Sequence, residues 1–199
     1  MDTLDFWAGS FGDDYTERNV GRVNNNIALF SGISVFMKKP ESVIEFGAGS
    51  GENIQAMEYV WPDALYSAVE INANACRRLS DLDHVIISHG SIYDADLLPA
   101  DLVLTKGLLI HIPPERIAEA YDQIYSHAKR YILLCEYYNP TLVAVPYRGH
   151  AGKLWKRDFA GEMLDRYGDL RLVEYGFVYR RDGLPQDDIT WFLLEKYAR

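Results

Sequence analysis

The stretch Val43-Ile44-Glu45-Phe46-Gly47-Ala48-Gly49-Ser50-Gly51-Glu52 decides how the rest of the chain is read. Val43, Ile44 and Phe46 form a short β-favouring apolar run, three alternate glycines punctuate a turn, and Asn53 to Val60 is helix-compatible. The pattern predicts strand, glycine loop, helix. Glycines suit such a loop because a ligand approaches the backbone closely and because the turn needs φ values that a Cβ penalises. The helix start beyond offers unpaired N–H groups, so a nucleotide-like cofactor is the first expectation.

A dinucleotide fingerprint spaces its glycines G-x-G-x-x-G, but here Glu52 stands at the third position and the last glycine is Gly51. Glu70, after the apolar segment Ala64 to Val69, lies where an acid ending the second strand holds ribose hydroxyls. Both cofactor classes share that acid. The acidic residue inside the first strand, Glu45, and the run E-F-G-A-G-S-G distinguish them, because this run resembles motif I of class I S-adenosylmethionine (SAM)-dependent methyltransferases. In that family the loop receives the amino-acid end of SAM.

The 199 residues suit a single domain with a sizeable core, and 48% hydrophobic with 25% charged residues excludes a disordered chain. A net charge of −9 argues against nucleic acid or an anionic membrane as partner and for a small molecule. Cys76 and Cys135 show no CxxC spacing, so neither zinc nor a disulfide framework is expected and buried thiols are. No apolar run is long enough to span a bilayer and the acidic start lacks a basic signal, so a cytoplasmic location is expected.

In chain order, residues 1–40 read as an N-terminal helical cap and 41–199 as the core. Asp13 or Asp14 is expected to cap a short helix bearing Tyr15, Arg18 and Asn19, and a second helix to run from about Asn24 to Lys38, ended by Pro40. Phe6, Trp7 and Phe11 read as packing. Tyr15, Arg18 and Asn19 either pack or grip the SAM carboxylate. Strands are predicted at Leu65–Val69, His84–Ser88, Asp101–Thr105 and Arg130–Glu136, with helices at Asn72–Leu79 and Glu115–Ala128, the latter opened by Pro113 and Pro114. The β-α-β-α-β alternation means a parallel, doubly wound sheet with ligands at its carboxyl edge. The connection 139–157 concentrates Arg148, His150, Lys153, Lys156 and Arg157 in an acidic protein, either as a solvated loop or as the site of an anionic acceptor. Helix Asp158–Tyr167 precedes LRLVEYGFVYRRD and DDITWFLLEK, an expected antiparallel pair completing the sheet.

The resemblance to class I methyltransferases implies a Rossmann-like, mostly parallel seven-stranded sheet with an antiparallel last strand. It places SAM against Glu45, Phe46, Gly47, Ala48, Gly49 and Gly51, the ribose on Glu70 beside Ile71, and the adenine on the segment Ser91-Ile92-Tyr93-Asp94, with Asp94 accepting from its amino group. Lys106, opening the run KGLLIHIPPE after the fourth strand, belongs to the same set. Nearly the whole chain, through FWAGSFGDDYTERN, VIEFGAGSGENI, TKGLLIHIPPE, GKLWKRDFAGEML and YGFVYRRDGLPQDDITWFLLEK, resembles the small methyltransferases associated with pseudaminic acid biosynthesis. That likeness implies a nonulosonic acid or an amino-sugar precursor as acceptor.

Methyl transfer requires alignment of acceptor and methyl, and removal of a proton from a hydroxyl or ammonium acceptor. His111 is the candidate base, with Tyr137, Tyr138 and His150 in reserve; His111 could equally orient SAM. Arg148, His150, Lys153 and Arg157 are the candidate acceptor ligands, and no metal is called for. The competing readings are a nicotinamide-dependent oxidoreductase and a non-catalytic SAM-binding protein.

Overall fold

A computed structural model of the chain describes residues 2–18 and 21–197. Its main sheet has seven strands: β1 (Ser42–Phe46), β2 (Leu65–Glu70), β3 (Val85–His89), β4 (Ala100–Lys106), β5 (Ala128–Glu136), β8 (Leu170–Val178) and β9 (Ile189–Lys196). A separate two-stranded ribbon holds β6 (Val143–Ala144) and β7 (Trp155–Lys156). The order is β3-β2-β1-β4-β5-β9-β8. The first five strands pair in parallel, β9 is antiparallel to β5, and β8 is antiparallel to β9.

Near-continuous apolar runs at β1, β4 and β5 follow from burial on both faces, and two buried clusters fill the two sides of the sheet. One gathers Phe46, Val103, Ile132 and Leu194 beneath α6 (Ile117–His127) and α7 (Phe159–Arg166); the other gathers Val43, Leu104 and Leu133 beneath α3 (Val23–Ser34) and α4 (Glu52–Val60). The chain leaves β1 toward β2 on one side, while β4 lies on the other. The crevice between β1 and β4 is therefore the topological switch point, where such sheets bind ligands.

Several boundaries differ from expectation. The cap begins with two helices, α1 (Thr3–Ala8) and α2 (Ser10–Arg18), rather than one capped by Asp13 or Asp14. Asp2 accepts from the Thr3 N–H to start α1, Gly9 interrupts the run in extended conformation, and the Asp13 carboxylate instead accepts from Asn72 Nδ2 at 3.0 Å. Asn72 itself caps α5 (Ala73–Leu79). Helix α3 stops at Ser34, short of Lys38, in a tight turn where Phe36 N–H donates to Ile33 and Met37 N–H to Ser34. Val35 and Phe36 are exposed there, so apolar spacing overstated the helix. Pro114–Arg116 form a separate 3₁₀ turn and α6 starts only at Ile117. No helix among the described residues is long and apolar enough to cross a membrane.

Candidate active site

The glycine loop is held from both sides. Gly47 and Ala48 N–H groups donate to the Val69 carbonyl at 2.8 and 3.2 Å, and Gly49 N–H donates to Glu70 Oε2 at 2.8 Å. Glu70 Oε1 accepts from Asn72 N–H at 2.7 Å. Thus one carboxylate ties the loop after β1 to the start of α5, and burial raises its pKa. The glycines differ in purpose. A Cβ at Gly51 would come within 2.8 Å of Leu79 and one at Gly47 within 2.9 Å of Leu108, so both allow packing. A Cβ at Gly49, where φ is +55°, would meet nothing and would project into open space. Beneath the loop Glu45 is fully buried; its Oε1 accepts from Asn53 Nδ2 at 2.5 Å, its Oε2 has no hydrogen-bond partner among the described residues, and burial lifts its pKa to about 8. Phe46 lies in the core.

Two joined compartments open at the carboxyl edge. The first is mostly apolar: Trp7, Tyr15 and Thr16 of the cap roof it, while Gly49, Glu70, Ile71, Ser91, Ile92 and Tyr93 line its sides. Arg116 covers the Tyr93 ring at 3.5 Å. Asp94 does not line it; this exposed residue accepts from Ser91 Oγ at 2.7 Å and shapes the turn. The second compartment is more polar and is lined by Arg22, Ala48, Asn53, Glu136, Tyr137, Tyr147, Arg148, Arg180, Asp187 and Asp188 among others. Tyr15, Gly49, Lys106 and His111 line both. Burial lowers the pKa of Lys106.

His111 sits on the 3₁₀ turn Leu109–His111 that follows β4. Its Nδ1 is 2.7 Å from the Lys153 carbonyl, and a carbonyl only accepts, so Nδ1 carries the hydrogen and Nε2 is the bare nitrogen. Trp7 and Tyr147 hold the ring, with centroids at 4.4 and 4.9 Å. Burial lowers its pKa to about 4, which keeps it neutral at ordinary pH. Glu136, the last residue of β5, positions this turn: Oε1 accepts from Leu108 and Leu109 N–H groups, each at 3.1 Å, and Oε2 from Ile110 N–H at 3.4 Å. Its pKa is pushed up to about 7, by burial.

The other expected residues scatter. Tyr137 lines the polar compartment, whereas Tyr138 points away, 43% exposed and tilted against Phe192 at 5.9 Å. Arg18 is exposed on α2, pairing with Asp14 at 3.8 Å outside both compartments; Asn19 lies outside the described residues. Of the basic stretch only Arg148 reaches the cleft. His150 packs on Phe6 and Phe11, Lys153 Nζ stands 4.9 Å over Phe6, Lys156 sits 5.0 Å over Tyr137, and Arg157 pairs with Glu162 at 2.6 Å. The sequence reading missed Glu136, although an acid ending a buried strand at the carboxyl edge was a usable signal. It also missed Tyr147, and Arg22, which donates to Asp187 at 2.7 Å across 165 residues and carried no local signal. Trp7 packs, as its sequence context predicts, and its partner is His111.

No protein-family model and no curated protein sequence matches the chain. Solved structures do. The chain is similar to 1,6-didemethyltoxoflavin-N1-methyltransferase of Burkholderia thailandensis, solved with its acceptor and S-adenosylhomocysteine (SAH): TM-score 0.70, 14% identity, 98% of this chain and 87% of that one. It is similar to magnesium protoporphyrin IX methyltransferase of Synechocystis PCC 6803 with SAM bound, at TM-score 0.67 and 14% identity, covering 99% and 98%. Mitomycin 7-O-methyltransferase gives TM-score 0.63 at 14% identity; 88% of this chain is covered, and the chain spans only 54% of that protein. Together with the strand order, these likenesses establish an α/β, Rossmann-like fold of the class I methyltransferase kind.

Proposed function

We propose that the protein transfers a methyl group from SAM to a small-molecule acceptor. The observation that carries this reading is the junction of two compartments at Tyr15, Lys106 and His111, directly beside the open-facing Gly49. The residues suit SAM: Gly49 leaves room for close approach, Glu70 keeps lone pairs toward ribose hydroxyls, and Ile71, Ile92 and Tyr93 form an apolar slot for a base. Glu45 Oε2, without a hydrogen-bond partner among the described residues, supplies negative charge toward a cationic amino-acid end once ionised. SAM supplies an electrophilic methyl on a sulfonium. The protein's share is alignment in a water-poor site and acceptance of the acceptor's proton at His111 Nε2, whose tautomer the Lys153 carbonyl fixes. A pKa of about 4 makes this a weak base, effective as bond formation acidifies the acceptor's proton.

A dinucleotide fits less well. The α4 start carries Glu52, whose carboxylate accepts from Gly21 and Arg22 N–H groups at 2.5 and 3.3 Å and would face a pyrophosphate with like charge. The acceptor, in our reading, is anionic: Arg148 lines the polar compartment, has no carboxylate partner among the described residues, and is held at φ 49°. A nonulosonic acid or amino sugar of pseudaminic acid biosynthesis, methylated on O or N, is the acceptor class we favour from the sequence resemblance.

Calorimetry with SAM, SAH and NAD tests the cofactor, and a panel of anionic and neutral sugars and amines tests the acceptor. SAH should bind and NAD should not. With an active acceptor found, Arg148→Ala should raise its KM several-fold with SAM affinity unchanged. Binding of NAD in preference to SAH would overturn the reading, and SAH binding with no transfer to any acceptor would favour a non-catalytic binding protein.

A further inference from the structure

A group that passes between the two compartments passes the side chains that line both, and among the described residues three of those titrate: Tyr15, Lys106 and His111. Burial raises the Tyr15 pKa and keeps the phenol protonated, and burial holds His111 neutral. Of the three, only Lys106 is a cation at its ordinary pKa of 10.5. It is the last residue of β4, beside the switch point, and stands opposite Cys135 of β5 in the register. Its side chain makes no hydrogen bond and no ion pair among the described residues.

A partly buried ammonium without a counter-ion is costly, and none of its surroundings supplies one. Glu45 on β1 holds its proton up to a pKa of about 8, and burial keeps Cys135 a thiol. Glu136 on β5 accepts from the Leu108, Leu109 and Ile110 N–H groups, and Glu70 on β2 from those of Gly49 and Asn72. Asp187 pairs with Arg22 at 2.7 Å, and that guanidinium repels the ammonium. Glu52 is engaged by the Gly21 and Arg22 N–H groups, and Asp188 by Arg180 at 3.6 Å. The loop beyond β5 brings Tyr137, Tyr147 and Arg148, but no anion. Burial accordingly lowers the Lys106 pKa.

Methyl transfer changes the charge at such a junction. The acceptor's oxygen or nitrogen forms the new bond to carbon and gives up a proton, while sulfur keeps the electron pair of the broken S–C bond and becomes neutral. His111 Nε2, held neutral by burial, does not keep the proton that it accepts. Resting on the methyltransferase reading, we propose that Lys106 offsets this change: it is uncharged while the sulfonium is present, and it becomes the ammonium that holds the acceptor's proton once the sulfur is neutral. One positive charge then remains at the junction throughout, and two cations never share a water-poor cleft. The protein with SAM therefore binds up to one proton fewer than the protein with SAH.

Calorimetry of the full chain with SAM and with SAH, in two buffers of different ionisation enthalpy, counts those protons without any turnover. At about pH 9 Glu45 and Glu136 are ionised, while Tyr137 and Cys135 stay protonated, so Lys106 is the group left to respond. SAM should release up to one proton more than SAH in the wild type than it does in Lys106→Met, a comparison that cancels protons carried by the ligands themselves. A cation binds better once the neighbouring lysine has lost its proton. The SAM-to-SAH affinity ratio of the wild type, divided by that of Lys106→Met, should thus climb with pH from about one tenth toward one. The climb should persist with Glu45→Gln in both chains, since Glu45 is the carboxyl coupled to Lys106. Lys106→Arg, a permanent cation, should disfavour SAM against SAH at every pH and release no extra proton. Equal losses of SAM and SAH affinity in Lys106→Met would make Lys106 a ligand of the part that the two molecules share, and would overturn the proposal. Binding of both ligands with no Lys106-dependent proton difference would overturn it alone, whereas binding of neither would overturn the methyltransferase reading with it.

Discussion

The two compartments of the cleft are built in different ways. The walls of the apolar one come largely from short-range structure, a loop of three glycines, the carboxylate that ends the next strand, and the turn after β3, within residues 42–94 of the chain, under the roof of Trp7, Tyr15 and Thr16. The polar one is assembled from residues far apart, with Arg22 meeting Asp187, Tyr147 meeting His111, and Glu136 gripping the turn after β4. Backbone geometry dominates the first and side-chain charge the second. A site built this way can hold one cofactor in a fixed manner while the residues around the acceptor vary.

The sharpest way to break this division is to remove a side chain at the junction. His111→Ala should lower kcat by about 10² to 10⁴-fold if Nε2 takes the acceptor's proton, with SAH affinity nearly unchanged because the apolar compartment keeps its loop and its carboxylate. Single-turnover rates and SAH calorimetry on the same preparation check it. Normal turnover would leave alignment as the whole contribution of the protein.

Next comes the loop itself. Gly49→Val places a branched side chain into the open space at φ +55°, and should weaken SAH binding by about 10²-fold, combining lost room with backbone strain. Gly51→Val should act otherwise: its Cβ drives into Leu79 and Leu82, so the melting temperature should fall whether or not ligand is present. If Gly49→Val retains wild-type affinity, the loop does not face the cofactor, and the contrast between the compartments collapses.

The same contrast explains what could be read from the sequence. Apolar runs, glycines and caps are local, so the five parallel strands and the loop were legible to within a residue or two. The basic stretch was legible only as composition. Charge in a loop does not say which way each side chain turns, and Arg157 found Glu162 while Lys153 and His150 turned to Phe6. Asp94 shows the same thing on a smaller scale, since an acid three residues after a serine closes its own turn, and Ser91 Oγ donates to it at 2.7 Å. Gly9 split the cap because extended backbone there outweighed the helical content on either side.

The smallest effect, in pH, separates the two buried carboxyls that underlie the compartments. Glu136, beneath the polar one, is raised to about 7 and Glu45, beneath the loop, to about 8, each from an ordinary value of 4.5. A folded-state pKa above the unfolded one means that the folded protein binds the extra proton. The stability this contributes is complete below pH 4.5 and is lost as pH rises through the folded value. His111 works in the opposite sense, its contribution being present above 6.5 and lost as pH falls through about 4, and the lowered Lys106 adds a further opposing slope at high pH. Differences between variants cancel those terms. The melting temperature of Glu136→Gln minus that of wild type should climb from pH 4.5 and level off just above 7, over a few degrees, since about 1 kcal/mol moves a chain of this size by 2–4 °C. For Glu45→Gln the climb should continue to about 8, distorted by the lost attraction to Lys106. Glu136→Gln keeps the oxygen that accepts from the turn but loses the charge, so it should also disturb kcat more than SAH affinity. Coincident difference curves for the two variants, or a flat one for Glu136→Gln, would mean that burial does not hold these carboxyls apart and that the two compartments share one electrostatic floor.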